Sequence, residues 1–309
     1  MRAIILGAAA GGGFPQWNCS CPNCSAVRGG RFHGTPRSQA QLAISNGGDW
    51  FLLNAGPDLR AQIESTPALH PQRQPRHSPI TGALLPCGDL DQVMGLLLLR
   101  EWQQLCIYAS ASVRRMILED NSMFSMLSRV TGQTRWVDIV PGEPFPLCAA
   151  DGSDSGLRCY PLALPAHYPS YVPKAKLASL PAEESRLGLI VESPQGSKLA
   201  FLPGVASLTP EQMEMLADVD VLLFDGTFWD EEELMRIQPG TRTAGEMGHM
   251  PVSGEGGSLT VLAGLRKPRK VYIHINNTNP MLDESGPQYR AVCDAGWECA
   301  KDGWEIELP

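Results

Sequence analysis

Short apolar runs alternate along the chain with amphipathic stretches and with loops rich in glycine and proline. Apolar runs of this kind, bounded by turn residues, are typical of buried and half-buried strands. The predicted strands are 2–6, 37–45, 50–54, 80–85, 105–109, 136–140, 157–162, 187–193, 198–202 and 219–224, and a further strand begins at Lys270. The predicted helices are 58–65, 112–120, 209–217 and 258–265. This alternation predicts an α/β fold.

The stretch from Leu84 to Gly95 joins a buried strand to a helix that is predicted to begin near Asp91 and to carry 96–99 and Trp102. Residues with donor atoms cluster at the turn: Cys87, Asp89, Asp91 and Gln92. Open sheets bind ligands at the carboxyl ends of their strands, so the turn is a candidate metal or substrate site. The alternative is a structural helix entry in which Asp89 or Asp91 caps free N–H groups.

The segment Trp17–Cys24 contains three cysteines, Cys19, Cys21 and Cys24, in C-x-C-x-x-C spacing. Thiolates at this spacing suit tetrahedral zinc, which needs a fourth ligand from elsewhere in the chain. The alternatives are three unrelated buried thiols or a redox dithiol. Zinc is the preferred interpretation, and 19–24 is predicted to be a zinc-binding loop.

Several predicted strands and helices meet at an Asp or a His. His167, Asp225, His249 and His274 all lie at strand exits or helix entries, and four such positions favour one shared site. The glycine-rich segment 7–13 is predicted to be a substrate-facing loop, because small residues let the backbone approach a ligand closely. Segments 66–79 and 169–186 are predicted to be a surface loop and an inserted loop.

Composition narrows the class of protein. A chain of 309 residues with formal net charge −8 offers no basic surface for nucleic acid or anionic membranes. No apolar run approaches the length of a membrane span, and no secretion signal is visible at the start, so a cytoplasmic protein is expected. Because the cytoplasm is reducing, the nine cysteines are expected to be free thiols and metal ligands and not disulfides.

The order of elements resembles the metallo-β-lactamase fold, an αββα sandwich of two mixed sheets flanked by helices, in the branch that includes ribonuclease Z. The resemblance implies one domain over 1–309. The segment Cys87–Gln92 lies where that fold has H-x-H-x-D-H, and His249 and His274 match its later histidines. Because Cys87, Asp89 and Gln92 replace histidines there, hydrolytic dizinc chemistry is disfavoured.

Five motifs resemble the coenzyme PQQ synthesis protein B family: Asn18–Cys24, Asn54–Arg60, Gly88–Asp91, Met247–Pro251 and His274–Pro280. The resemblance implies a role in making pyrroloquinoline quinone (PQQ), either as a non-haem iron hydroxylase of a tyrosine ring or as a carrier of PQQ or its precursor towards the periplasm. Hydroxylation is preferred, because a chain without a membrane span does not move a polyanion across a bilayer by itself.

The resemblance also implies roles for individual residues. Asp91, His249 and His274 would supply two histidines and a carboxylate for Fe²⁺. The residues expected to act in catalysis are Asp89, Asp91, Gln92, His167, Asp225 and His249, which with His274 should converge on one cleft. PQQ or a Glu-Tyr-derived precursor would be bound by Arg60, Asn276, Asn277 and Thr278. The structural zinc would take His274, or alternatively Asn277, beside the three thiols. A homodimer is also expected.

Overall fold

The computed structural model describes residues 1–72, 75–101 and 103–309, so Trp102 of the predicted helix lies outside the described residues. Fourteen strands in this part of the chain form two seven-stranded sheets. The first sheet has the order β14-β1-β2-β3-β4-β5-β6. Its strands are β1 (Arg2–Gly7), β2 (Gln41–Ser45), β3 (Trp50–Leu53), β4 (Ile80–Leu85), β5 (Leu105–Ser110), β6 (Thr134–Ile139) and β14 (Trp304–Glu307).

The second sheet has the order β13-β12-β11-β10-β9-β8-β7. Its strands are β7 (Phe145–Cys148), β8 (Asp154–Ala163), β9 (Leu187–Glu192), β10 (Lys198–Leu202), β11 (Val221–Asp225), β12 (Arg269–Ile273) and β13 (Trp297–Cys299). Both sheets are mixed. In the first, β3 to β6 run parallel while β14/β1 and β2/β3 are antiparallel. In the second, β10 to β13 run parallel and β7 to β9 antiparallel.

The helices are short and connect the strands. They are α1 (Pro22–Arg28), α2 (Leu59–Ser65), α3 (Leu90–Val93), α4 (Ala111–Asp120), α5 (Lys174–Leu177), α6 (Pro210–Ala217), α7 (Glu233–Ile237), α8 (Ser258–Val261) and α9 (Pro287–Asp294). Among the described residues, no helix combines the length and the apolar content that crossing a membrane requires. The predicted cap of α6 is confirmed: Thr209 and Gln212 form a capping box ahead of Pro210.

Contacts between Cα atoms divide the chain into two compact units. The first comprises Met1–Leu6, Gln41–Lys198 and Gly303–Pro309, and the second comprises Gly7–Ala40 and Leu199–Asp302. The core of the first unit is built from buried side chains of its strands and of α4, among them Leu52, Ile107 and Met116. In the second unit the parallel strands β11 and β12 are almost fully buried, which explains their continuous apolar sequence.

The predicted helix from Asp91 onward differs from the structure. Regular α-helix ends at Val93, and Met94–Arg100 continue as a tighter 3₁₀ helix. The backbone explains the change, because the Gly95 N–H donates to the carbonyl of Ala55 at 2.7 Å instead of to its own helix. The predicted helix from Ser258 is also shorter and ends at Val261. The inserted loop 169–186 contains the short helix α5.

Candidate metal centre and ligand pocket

The second unit contains a cavity of about 490 Å³. Its walls come from the loop after β1, the segment after β11 and the loop after β12. One part of the lining is apolar and includes Phe228, Leu234, Ile237 and Met247. The remainder is polar and includes Thr227, His249, His274, Asn276, Asn277 and Thr278, together with Cys19 and Cys21. The cavity therefore suits a ligand that has both an aromatic or apolar face and polar groups.

Asp225, His249 and His274 converge at this cavity because of the strand register. Asp225 is the last residue of β11 and pairs in parallel register with Ile273, so His274 follows at the same edge of the sheet. His274 has φ 58°, a left-handed conformation that is uncommon outside glycine and that often marks functional sites. His249 follows the turn 245–247, and its N–H donates to the carbonyl of Ala244.

Asp225 is fully buried and organises this group. Its Oδ2 accepts from His249 Nδ1 at 2.8 Å and from the Val205 N–H at 2.9 Å. Its Oδ1 accepts from the Thr227 hydroxyl at 2.6 Å and from the Thr227 N–H at 3.0 Å. Burial opposes ionisation of Asp225, but the two histidines and these hydrogen bonds outweigh it and hold its pKa below the ordinary value.

The Thr227 hydroxyl links the two imidazoles. It donates to Asp225 Oδ1 at 2.6 Å and lies 2.8 Å from His274 Nδ1 and 3.1 Å from His249 Nδ1. These contacts hold the two rings in a stacked arrangement, with their centroids 5.4 Å apart.

The donor set of Asp225, His249 and His274 fits a divalent metal ion. One donor atom from each residue lies within 4.8 Å of the other two, so a single ion can reach all three. Two imidazoles and one carboxylate form the set that non-haem iron(II) oxygenases use. The geometry therefore identifies this group as a candidate metal centre at the cavity wall.

The three cysteines of the C-x-C-x-x-C segment also converge, with donor atoms within 4.8 Å of one another. Cys21 caps α1, where its sulfur accepts from the Cys24 N–H, and Pro22 occupies the first turn. Burial and the neighbouring thiols raise the pKa of Cys21 to about 12. Burial also acts to raise the pKa of Cys19. The hydrogen bonds with Cys21, Cys24 and Asn277 outweigh this effect, so the pKa of Cys19 is lowered. Metal binding would deprotonate all three thiols.

The side-chain amide of Asn277 faces this thiol cluster. Its Nδ2 lies 3.2 Å from Cys19 Sγ, 3.6 Å from Cys21 Sγ and 3.3 Å from Cys24 Sγ. Asn23 in α1 supports the same loop, because its Nδ2 donates to the carbonyls of Asn277 and Asn279 at 3.1 and 3.0 Å. The structure therefore places Asn277 with the thiols and His274 with Asp225 and His249.

Glu233 lies behind the polar wall of the cavity and is 4% exposed. It accepts a hydrogen bond from the Thr278 hydroxyl at 2.5 Å, and Thr278 in turn accepts from Asn276 Nδ2 at 2.5 Å. Burial raises the pKa of Glu233 to about 7, although the hydrogen bonds from Thr278 and from the Trp229 N–H act to lower it. The carboxylate thus fixes the orientation of two polar side chains that line the cavity.

The other predicted site residues lie in the first unit. Cys87 and Asp89 follow β4, and Cys87 Sγ donates to Asp89 Oδ2 at 3.2 Å. Arg186 pairs with the same carboxylate at 3.6 Å, and burial raises the pKa of Cys87 well above its ordinary value. Gln92 is buried, and its Oε1 has no hydrogen-bond partner among the described residues.

Three further predicted residues share that unit with the Cys87 turn. Asp91 is partly buried in α3, while His167 and Arg60 are exposed. The structure brings Asp225, His249 and His274 together in the second unit, beside Asn276, Asn277 and Thr278, and the convergence of the first-unit residues with this group stays a prediction.

Sequence reasoning missed Thr227, Glu233 and Arg186. Thr227 had a signal, since it stands two residues after Asp225 at the end of β11, within reach of the same site. Glu233 and Arg186 had none, because each acquires its role from a partner distant in sequence, Thr278 for Glu233 and Asp89 for Arg186.

The fold, with an aspartate and two histidines meeting at its strand ends, defines a protein of the β-lactamase superfamily, whose domain model matches residues 49–275. The chain is 41% identical to coenzyme PQQ synthesis protein B of Methylobacterium sp. (strain 4-46), with both chains covered completely. It is 41% identical to the protein of the same name from Azotobacter vinelandii, again over all of both chains. The chain belongs to the coenzyme PQQ synthesis protein B family.

Solved structures agree with this assignment. The crystal structure of Zn²⁺-bound PqqB from Methylobacterium extorquens matches with a TM-score of 0.90 at 38% identity and covers all of both chains. A diphosphatase from the PhnP family matches with a TM-score of 0.66 at 18% identity, over 100% of this chain and 98% of that one, which shows a shared fold. The predicted metallo-β-lactamase fold, with two mixed sheets flanked by helices, is confirmed.

Proposed function

We propose that this protein acts in PQQ biosynthesis as a metal-dependent oxygenase that hydroxylates the tyrosine ring of a Glu-Tyr-derived precursor. Family membership supports the role in PQQ synthesis. The observation that carries the chemistry is the group of two imidazoles and one carboxylate at the wall of a cavity with both apolar and polar sides. This donor set is the one associated with iron(II) and oxygen activation.

In this proposal Asp225, His249 and His274 hold Fe²⁺, which when bound supplies the activation of oxygen. The protein's own side chains do the rest. Asp225 and Thr227 hydrogen-bond to the imidazoles and hold the two rings beside each other at the cavity wall. The apolar wall formed by Phe228 and Leu234 packs against the aromatic ring of the precursor.

The opposite wall binds the polar groups of the same ligand. The precursor derives from an amino acid pair and carries carboxylates and an amine. Asn276 and Thr278, held in place by Glu233, offer hydrogen-bonding groups at the cavity surface. Each ring hydroxylation consumes one O₂, two electrons and two protons, and releases one water, so an external two-electron reductant is required.

The test uses anaerobically prepared protein with and without added ferrous iron. A Glu-Tyr cross-linked substrate is supplied with O₂ and ascorbate as the reductant, and mass spectrometry follows the gain of one or two oxygen atoms. Wild type with iron should form the hydroxylated product. His274→Ala should lose both bound iron and product, whereas His33→Ala, an exposed histidine outside the cavity lining, should retain both.

A different outcome of the same experiment would contradict the proposed hydroxylation. If iron-loaded wild type forms no hydroxylated product yet binds PQQ tightly, the protein is a carrier or product-binding protein. The Asp91→Ala variant adds a second readout, because the sequence predicts Asp91 as an iron ligand whereas the donor set described above uses Asp225. Loss of iron in Asp225→Asn but not in Asp91→Ala would support the present assignment. A cytoplasmic location and a homodimer stay predictions.

We also infer that the thiols Cys19, Cys21 and Cys24 bind a structural zinc ion. Three convergent sulfurs at the start of a helix match structural zinc sites, and zinc binding of this kind contributes directly to folding. Cys21→Ser should release about one equivalent of zinc and lower the free energy of unfolding by several kcal/mol. Retention of the metal, with unchanged melting, would contradict the assignment. Cys293→Ser changes an exposed cysteine and is the matched control.

A further inference from the structure

A short chain of hydrogen bonds leads from the cavity wall to a buried carboxyl group. Asn276 Nδ2 lies 2.5 Å from the hydroxyl oxygen of Thr278, and the same oxygen lies 2.5 Å from Glu233 Oε1. Asn276 and Thr278 line the cavity, whereas Glu233 lies behind them and is 4% exposed. A change in the charge of Glu233 is therefore passed to a ligand in the cavity through these two side chains.

The number of protons in this chain determines what the wall offers to a ligand. A hydroxyl group has one proton and an ionised carboxylate only accepts, so with Glu233 ionised the proton of Thr278 is committed to Glu233. Asn276 then donates an N–H to the Thr278 oxygen. With Glu233 protonated, the carboxyl group donates to Thr278 instead, and the Thr278 proton becomes available to Asn276 or to a ligand. Protonation thus adds one donor to the wall and removes one buried negative charge.

Both changes favour a ligand carboxylate at this wall. Among the described residues that line the cavity there is no lysine or arginine, so no permanently charged cation faces such a group. An ionised Glu233 behind the wall would repel it, and because Glu233 is buried, solvent and salt screen that repulsion only weakly. A carboxylate at the wall is therefore bound best when Glu233 holds a proton.

We propose that Glu233 takes up a proton when the cavity binds a carboxylate of its ligand, so that Asn276 and Thr278 meet that carboxylate as hydrogen-bond donors. This inference rests on the proposed function for the identity of the ligand, PQQ or its precursor, both of which carry carboxylates. Glu233 is a positioning residue in this role, because it acts on the ligand through Thr278.

The surroundings of Glu233 suit a change of charge near neutral pH. Burial brings its pKa to about 7. The charged groups that act on it are Asp230, which raises its pKa, and Arg236, which lowers it, and these two pair with each other. From the loop after β12 it faces the uncharged hydroxyl of Thr278. Gain of a proton near pH 7 therefore costs little free energy.

The test measures PQQ binding to the full-length protein, without added iron, by isothermal titration calorimetry from pH 6 to pH 9. Each titration is carried out in two buffers of different ionisation enthalpy, which gives the number of protons taken up on binding. We expect wild type to take up protons above pH 7. Its Kd for PQQ should rise by up to about tenfold per pH unit there.

Variants separate Glu233 from other groups that exchange protons on binding. Glu233→Gln is uncharged at every pH, so it should take up fewer protons and bind PQQ at least about tenfold more tightly than wild type at pH 9. Thr278→Val removes the hydroxyl that joins Glu233 to the wall and should also take up fewer protons, which decides the question if Glu233→Gln does not fold. Glu214→Gln changes an exposed carboxyl group and should match wild type.

Three outcomes would overturn the proposal: proton release by wild type, equal proton uptake in wild type and Glu233→Gln, or no PQQ binding over the whole pH range. A Glu233→Gln protein that binds PQQ more weakly by the same factor at every pH would show a purely structural role. The hydroxylation assay is a separate measurement. Product formation without these differences contradicts only the present proposal, and Glu233-dependent proton uptake without product contradicts only the proposed hydroxylation.

Discussion

Glu233 is a buried carboxyl group whose charge state depends on pH near neutrality. Burial raises its pKa from 4.5 to about 7, which corresponds to about 3 kcal/mol between the two protonation states. An acid with a raised pKa in the folded state holds its proton there after the unfolded chain has released it. Its contribution to stability is therefore complete below about pH 4.5 and is lost as the pH rises through about 7.

Glu233→Gln should remove this pH dependence. As the pH rises from 4.5 to 8, the free energy of unfolding of the variant should increase by up to about 3 kcal/mol relative to that of wild type. Urea unfolding at a series of pH values measures the difference. The exposed Glu214→Gln should show no comparable slope. A Glu233→Gln protein whose difference from wild type is constant with pH would show that the pKa of Glu233 is the same in the folded and unfolded states.

A comparison of individual strands and helices shows which parts of the fold can be predicted from the sequence. Strands with continuous apolar residues, such as β4 and β11, lie where they are predicted, because burial on both faces requires that composition. Strands β7, β13 and β14 were not predicted, because their three or four residues include Pro or Glu and are too few to display a period, whereas the four residues of β3 are all apolar. The predicted 91–102 helix changes at Gly95, where a backbone contact with Ala55 overrides local helix propensity.

Gly95 also permits the closest backbone approach in that region. A Cβ atom there would lie 2.2 Å from the Gly56 carbonyl oxygen and 2.8 Å from that of Ala55, and both neighbours are backbone atoms that do not move easily. Gly95→Ala should therefore lower the free energy of unfolding by several kcal/mol, measured by chemical denaturation. Gly264→Ala has no atom within 4 Å of the added Cβ and should change stability by less than about 0.5 kcal/mol. Equal effects at both positions would contradict the steric explanation.

Over the whole molecule, the residues that the sequence identified at strand ends and helix entries include three that meet in the second unit, Asp225, His249 and His274. Asp89, Asp91, Gln92 and His167 belong to the first unit, and their convergence with that group stays a prediction. Sheet membership depends on pairing between distant strands, and a single sequence carries no direct signal of it. The three thiols are local in sequence and are recognisable by their spacing, whereas Asn277 lies more than 250 residues away and was named only through the family resemblance.

Both candidate metal sites lie in the second unit, so we expect metal removal to act there. Treatment with a strong chelator should increase amide hydrogen exchange in α1 and in the loop 276–279, while β4 and β5 of the first unit keep their protection. Hydrogen–deuterium exchange with mass spectrometry measures both regions in one sample. Restoring zinc should reverse the change. A uniform loss of protection across both units would indicate global unfolding instead.

Strand β7 stands last in its sheet and carries Pro146 at its second position. An outermost strand exposes backbone groups to which a strand from another molecule can hydrogen-bond, and this is a route to aggregation. Proline has no N–H and interrupts such a ladder, so Pro146 disfavours pairing of β7 with a strand from another molecule. At the far end of the other sheet, β6 carries Arg135 and Asp138, charged side chains that discourage the same association. Two of the four outermost strands thus carry residues that disfavour association between molecules, at positions that take no part in the candidate metal centre.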